Sequence, residues 1–251
     1  MSKNVAVILA GGSGLRMGTG GIPKQFLKMN GKPILFHTIE HFQKHEEIDE
    51  IVIVSVKDWL EYIWQQVKIY NFSKVTAIVE GGDTSQDSAY NGLLKARENN
   101  SADSIVVIHD GVRPIITAQV ISDNIDSVKK FGTAITVSPC SETIIISQDS
   151  ENIAEMPYRK HAYLGQCPQS FYLGDIIKVH EETRKVNPGY ENIVDACTLF
   201  NEAGKKLHLV MGNKGNIKVT TPEDYYVVEA IMKYRENEEV FGFSVAESIK
   251  K

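Results

Sequence analysis

Two cations, Arg16 and Lys24, and the glycine cluster Gly11-Gly12-Ser13-Gly14 carry the chemistry of a phosphate-handling site. Glycines let the backbone approach a ligand closely and turn its N–H groups toward it. Guanidinium and ammonium groups neutralise phosphate oxygens. The cluster follows Val5-Ala6-Val7-Ile8-Leu9-Ala10, a β-branched run that reads as a buried strand. The chain therefore opens on a candidate nucleoside triphosphate site, although an ordinary βα turn would also place glycines after a strand. Met17 stands where the third glycine of a dinucleotide fingerprint belongs, and no Gly-Lys-Ser or Gly-Lys-Thr of a P-loop occurs.

Further candidates fall after other strand-like runs. Gly81-Gly82-Asp83-Thr84-Ser85 is rich in donors suited to a base edge or phosphate, while Asp83 or Ser85 would equally serve as a helix cap. In Asp110-Gly111-Val112-Arg113-Pro114 the carboxylate can orient a cation and the arginine can grip a phosphate; a plain Asp–Arg pair would also steady the turn. Thr221-Pro222-Glu223-Asp224 forms a strong helix start, which leaves Lys218 unexplained as either a solvated edge charge or a site cation. The histidines have no metal-like spacing, and His37, His41 and His45, on one helix face, read as a solvated face. No G-x-S-x-G occurs, so serine-triad chemistry is unsupported.

Elements that must position these groups alternate. Strands are predicted at 5–10, 50–56, 74–80, 104–109, 133–137 and 207–211. Helices are predicted at 34–44, 59–70, 85–99, 120–131, 174–185, 192–203 and 222–234. Residues 143–147 and 153–156 read as a hairpin about a polar turn, either a projecting arm or a cover for its own sheet. The alternation predicts an α/β fold, Rossmann-like, with a mostly parallel sheet and helices on both faces. We read one domain over 1–235, with the arm within about 138–160 and a tail from 236 to 251.

A chain of 251 residues with net charge −5 argues against broad nucleic-acid binding, so an anionic substrate needs local cations. No apolar run is long enough for a membrane span and no signal peptide is visible. Cys140, Cys167 and Cys197 are odd in number and lack metal spacing, which predicts reduced thiols in a cytoplasm.

Together, the ordered motifs AGGSGLRMG…PKQF, GGD…S, HDGVRP, YLGQCPQSF, VDAC and NIKVTTPED resemble the cytidylyltransferase family that holds the ribitol-5-phosphate and 2-C-methyl-D-erythritol 4-phosphate enzymes. The resemblance spans about residues 5–232. It is closer to the ribitol branch, through Tyr163–Phe171, Lys57-Asp58-Trp59 and Asp123–Asp126. It implies transfer of CMP from CTP to a sugar-alcohol phosphate, most readily D-ribitol 5-phosphate, with release of pyrophosphate. Mg²⁺ would be held mainly by the triphosphate.

By the same resemblance, Arg16, Lys24 and Lys218 are catalytic. Ala10, Gly11, Gly12, Gly14, Gly82, Asp83, Ser88, Asp110 and Gly111 would bind the nucleotide. Asp110, Arg113, Thr143, Arg159 and Asp195 would bind the acceptor, with Thr143 reaching a neighbouring subunit's site, so a homodimer through the arm is implied. A ribitol acceptor implies teichoic acid or capsule precursors. Cys167 stands for the usual threonine, Gly111 for alanine or serine, and Ser85 where both branches usually carry arginine. The methylerythritol enzyme and a non-catalytic nucleotide-binding protein are the alternative readings.

Overall fold

The computed structural model describes residues 2–12 and 21–241. In chain order the elements are β1 (Asn4–Ala10), β2 (Lys28–Met29), β3 (Lys32–Pro33), α1 (Ile34–Lys44), β4 (Glu50–Ser55), α2 (Leu60–Ile69) and β5 (Val75–Glu80). There follow α3 (Ser85–Asn99), β6 (Ile105–Asp110), α4 (Ala118–Phe131), β7 (Thr133–Pro139), β8 (Tyr163–Tyr172), α5 (Leu173–Val186), α6 (Ala196–Glu202), β9 (Leu209–Met211) and α7 (Pro222–Phe241).

Seven strands form one sheet in the order β5-β4-β1-β6-β8-β7-β9. All pairs are parallel except those of β8, which runs against both β6 and β7. Strand alternation sends successive side chains to opposite faces. Ala6, Ile8, Ile51 and Ile53 pack with Ile39, Phe42, Ile63 and Ile121 of α1, α2 and α4. Val5, Val7, Val52 and Val54 pack with Leu93, Ile176 and Leu199 of α3, α5 and α6. Burial on both faces explains why β1, β4 and β6 read as unbroken apolar runs.

Several elements differ from the sequence expectation. The ten-residue strand β8 was not anticipated, because Gln166, Pro168 and Gln169 break its apolar pattern. Its pairing with β7 shifts register between Ile135 and Val137, and Pro168 lies at that irregularity, where a strand tolerates proline. The arm is a hairpin held by one bridge, Ile146 to Glu155, not by two paired strands. The helix expected from residue 192 begins at Ala196, because Asp195 is its N-cap and accepts from Thr198 N at 2.8 Å. The last helix runs on to Phe241.

Candidate active site

Crossovers leave β1 toward β4 on one side and reach β6 on the other. Ligands in open α/β sheets settle outside the carboxyl ends of strands at such a reversal. Gly11-Gly12 follows β1 there, and Asp110 ends β6 beside it, with Leu9 and Asp110 in register. Two adjoining cavities open at this point. A larger one, about 550 Å³, is lined by Ala10, Gly11, Gly12, Lys24, Gly82, Asp83, Ser88, Asp110 and Lys218 among others. The smaller, about 250 Å³, includes Asp110, Arg113, Cys167, Asp195 and Lys218. Leu9, Ser85, Asp110 and Lys218 line both.

Local structure explains how each wall is held. Gln25, buried in a 3₁₀ turn over Lys24–Phe26, donates to Ala10 O at 2.6 Å and to Gly12 O at 3.1 Å. That brace brings Lys24 to the glycine loop, and stacking of Phe26 on Trp59, 4.1 Å between centroids, steadies the turn behind it. On the opposite wall, Thr84, not Asp83 or Ser85, caps α3, in a capping box with Asp87. Ser88 Oγ accepts from Gly82 N at 3.0 Å. A Cβ on Gly82 would sit 2.3 Å from Asp87 Cβ, so only glycine fits there.

Asp110 is the junction. Its Oδ2 accepts from Arg113 Nε at 2.9 Å and from the Cys167 thiol at 3.4 Å, and its Oδ1 from Lys218 Nζ at 3.1 Å. Burial alone would raise the carboxyl pKa, but the Lys218 and Arg113 charges outweigh it and hold Asp110 well below the usual carboxylate range. Burial, with the Asp110 charge beside it, pushes the Cys167 thiol up to about 12. Cys167 is therefore a neutral donor, not a nucleophile. Buried His109, beneath, is lowered to about 3 by desolvation and stays neutral.

The cavity walls collect Ala10, Gly11, Gly12, Lys24, Gly82, Asp83, Ser88, Asp110, Arg113, Asp195 and Lys218. Gly111 lines neither cavity; a Cβ on it would meet Leu35 Cδ1 of α1 at 2.8 Å and Leu9 O and Ala10 Cβ of β1 at 3.2 Å, so a glycine there allows close packing. Arg113 pairs with Asp110 and also lines the smaller cavity. Thr143 and Arg159 are exposed on the arm and line neither cavity of their own chain. Gly14 and Arg16 lie outside the described residues.

Residues that sequence reasoning missed are mainly amides. Gln169 donates to Asp195 Oδ2 at 2.8 Å and accepts from Cys197 N at 2.8 Å, which fixes the Asp195 carboxylate. Asn216 donates to Cys167 O at 2.6 Å and accepts from Arg113 through its own carbonyl at 2.8 Å. The α1 histidines are not a solvated face. His41 of α1 and His45 at its C-cap donate to Pro114 O and Ala118 O and so stitch the segment after Asp110 to this helix, while His37 donates to Met29 O of β2. Among the described residues, no group of three His, Cys, Asp or Glu side chains could hold a metal ion.

This arrangement has counterparts among known proteins. The family model described as IspD, 2-C-methyl-D-erythritol 4-phosphate cytidylyltransferase, matches residues 4–234. A ribitol-5-phosphate cytidylyltransferase of Streptococcus agalactiae serotype V is 44% identical over 95% of this chain and 99% of its own length. A 2-C-methyl-D-erythritol 4-phosphate cytidylyltransferase of Clostridium botulinum (strain Langeland) is 37% identical over 93% and 99%. The crystal structure of the 4-diphosphocytidyl-2C-methyl-D-erythritol synthase of Anaerococcus prevotii superposes with a TM-score of 0.80 at 27% identity, covering 92% of this chain and 96% of that one. The chain belongs to the IspD family of cytidylyltransferases, CTP-dependent nucleotidyltransferases.

Proposed function

We propose that this enzyme transfers CMP from CTP to D-ribitol 5-phosphate, giving CDP-ribitol and pyrophosphate. The observation that carries the acceptor is the higher identity to a ribitol-5-phosphate enzyme, 44% against 37% for a methylerythritol one, each over nearly the whole chain. The paired cavities suit such a transfer, the larger for CTP and the smaller for the acceptor, meeting at Asp110 and Lys218. An acceptor phosphate is already ionised at neutral pH, so no strong base is needed. Its oxygen forms a bond to the α-phosphorus as the bond from that phosphorus to the β-bridging oxygen breaks, and pyrophosphate leaves with the electron pair.

The obstacle is repulsion between anions, which positioned cations relieve. Lys24 and Lys218 take that role here, with Arg16. Asp110 and Asp195 accept from acceptor hydroxyls, and Arg113 holds its phosphate. Asp83, Asp110 and Asp195 line the cavities, but among the described residues no group of three such side chains could hold a metal ion, so Mg²⁺ would be carried by the triphosphate and would supply further charge neutralisation.

The arm completes the proposal. Ile145, Ile146, Ile153, Met156 and Tyr158 are exposed along it, an apolar surface suited to a second copy of the chain. Thr143 and Arg159 would then enter the neighbour's acceptor site in a homodimer. The three thiols are free, and no helix among the described residues is long and apolar enough to cross a membrane. We place the reaction in the cytoplasm, supplying teichoic acid or capsule synthesis.

Pyrophosphate release measured with CTP and each of ribitol 5-phosphate, 2-C-methyl-D-erythritol 4-phosphate and other pentitol and hexitol phosphates tests the acceptor. The highest kcat/KM should belong to ribitol 5-phosphate; a higher value for methylerythritol phosphate would reassign it.

A further inference from the structure

Part of each cavity's wall comes from one of two pieces of chain: 82–88, running into the first turn of α3, for the larger, and 194–195, at the end of the segment 187–195 between α5 and α6, for the smaller, with Ser85 lining both. The second piece is strained. Tyr190 has φ 53° and Asn192 φ 64°. Asparagine tolerates the left-handed region, but a bulky aromatic there is an outlier that persists only where its surroundings hold it.

What holds Tyr190 is a cage. The residue is 3% exposed, and its hydroxyl hydrogen-bonds His180 Nδ1 at 2.8 Å. The Arg184 guanidinium lies 5.9 Å from its centroid and 4.9 Å from that of Tyr90. The same guanidinium donates from Nη1 to Asp87 Oδ1 at 3.2 Å. Asp87 is the residue against which Gly82 packs, and its Oδ2 accepts from Thr84 N and Thr84 Oγ1 at 3.3 and 2.7 Å. Ser85 Oγ lies 3.5 Å from Val194 O, a second link between the two pieces.

We propose that Arg184, which lines neither cavity, is a positioning residue that holds the nucleotide wall and the acceptor wall in one register. The inference rests on the assignment of the two cavities above. The Arg184–Asp87 pair is partly exposed and adds little to folding by itself. Its effect falls on the walls indirectly, because one rigid planar group reaches both Asp87, which holds Gly82 and Thr84, and Tyr190, which lies upstream of Asp195. A lysine can keep the charge toward Asp87 but has no planar group to lie against Tyr190.

The test is steady-state kinetics on the full-length enzyme, varying CTP and ribitol 5-phosphate separately, for wild type, Arg184→Met and Arg184→Lys. Arg184→Met should raise both KM values about tenfold with kcat little changed. Arg184→Lys should recover the KM for CTP but not that for the acceptor. Both KM values within about twofold of wild type in the Met variant, or a loss confined to kcat, would overturn the proposal. Should the Met variant fail to fold, the Lys variant decides alone: an acceptor KM no higher than wild type sinks the idea. Calorimetric CTP affinity, weakened about tenfold in Arg184→Met, reads the nucleotide half without any acceptor. A wild type that ignores ribitol 5-phosphate would then indict the acceptor assignment, while unchanged CTP affinity would indict Arg184.

Discussion

Asp110 lies where burial penalises a charge, and it is ionised because Lys218 and Arg113 flank it. That balance has a consequence for Lys218. Without ligand its ammonium is engaged by Asp110, yet its side chain is 42% exposed and can turn toward a phosphate. In the proposed mechanism its charge acts on a transition state that gathers negative charge between two phosphates. Lys218→Ala should lower kcat by roughly 100-fold or more with the fold intact, and should lower the thermal midpoint modestly, because Arg113 alone is left to offset the Asp110 charge. Lys24→Ala should lower turnover comparably. Pyrophosphate release by purified variants measures both, and near-normal turnover in both would remove the lysines from catalysis. Cys167, neutral and donating to the same carboxylate, is expected to be inert toward alkylating reagents at pH 8.

At the scale of elements, most of what positions the site was legible in the chain. Alternating β-branched runs marked β1, β4, β5 and β6, and the apolar stripe of α1 gave its bounds, Ile34–Lys44. The features that escaped depend on tertiary pairing. β8 carries Cys167 to Asp110 through an irregularity at Pro168, and no local pattern encodes that. Residues 192–195 read as helix because nothing local signals left-handed backbone at Asn192 or the cap at Asp195. The β2–β3 hairpin was legible but unread: Asn30-Gly31, with φ 47° and 80°, is the two-residue turn such pairs favour. The histidines of α1 show a further limit, since periodicity gives a shared face but not the carbonyl oxygens that meet it.

The arm is the element for which we propose a role in a neighbouring chain. If it serves a neighbour's site, mixed dimers of Lys218→Ala and Arg159→Ala chains should regain activity that neither has alone. One of the two sites would combine an intact pocket with an intact arm. About a quarter of wild-type turnover is expected from random mixing, because half the dimers are mixed and each holds one working site. No recovery, with mixed dimers demonstrably present, would contradict a crossing arm.

At the scale of the molecule, a chain of net charge −5 offers anions no general positive field, while Lys24, Arg113 and Lys218 gather on the cavity walls at the strand ends. The sheet brings residues some two hundred positions apart, Gly11 and Lys218, to the walls of one cavity. Two adjoining cavities sharing a carboxylate and a lysine make the molecule a device for joining two phosphates. Phosphorus-31 NMR of the enzyme with CTP and ribitol 5-phosphate tests that claim most directly. The account predicts one pyrophosphate and one CDP-ribitol, its two phosphorus atoms joined through oxygen, for each CTP consumed, and no consumption without acceptor. Release of CMP or CDP regardless of acceptor, or turnover with methylerythritol phosphate alone, would contradict it.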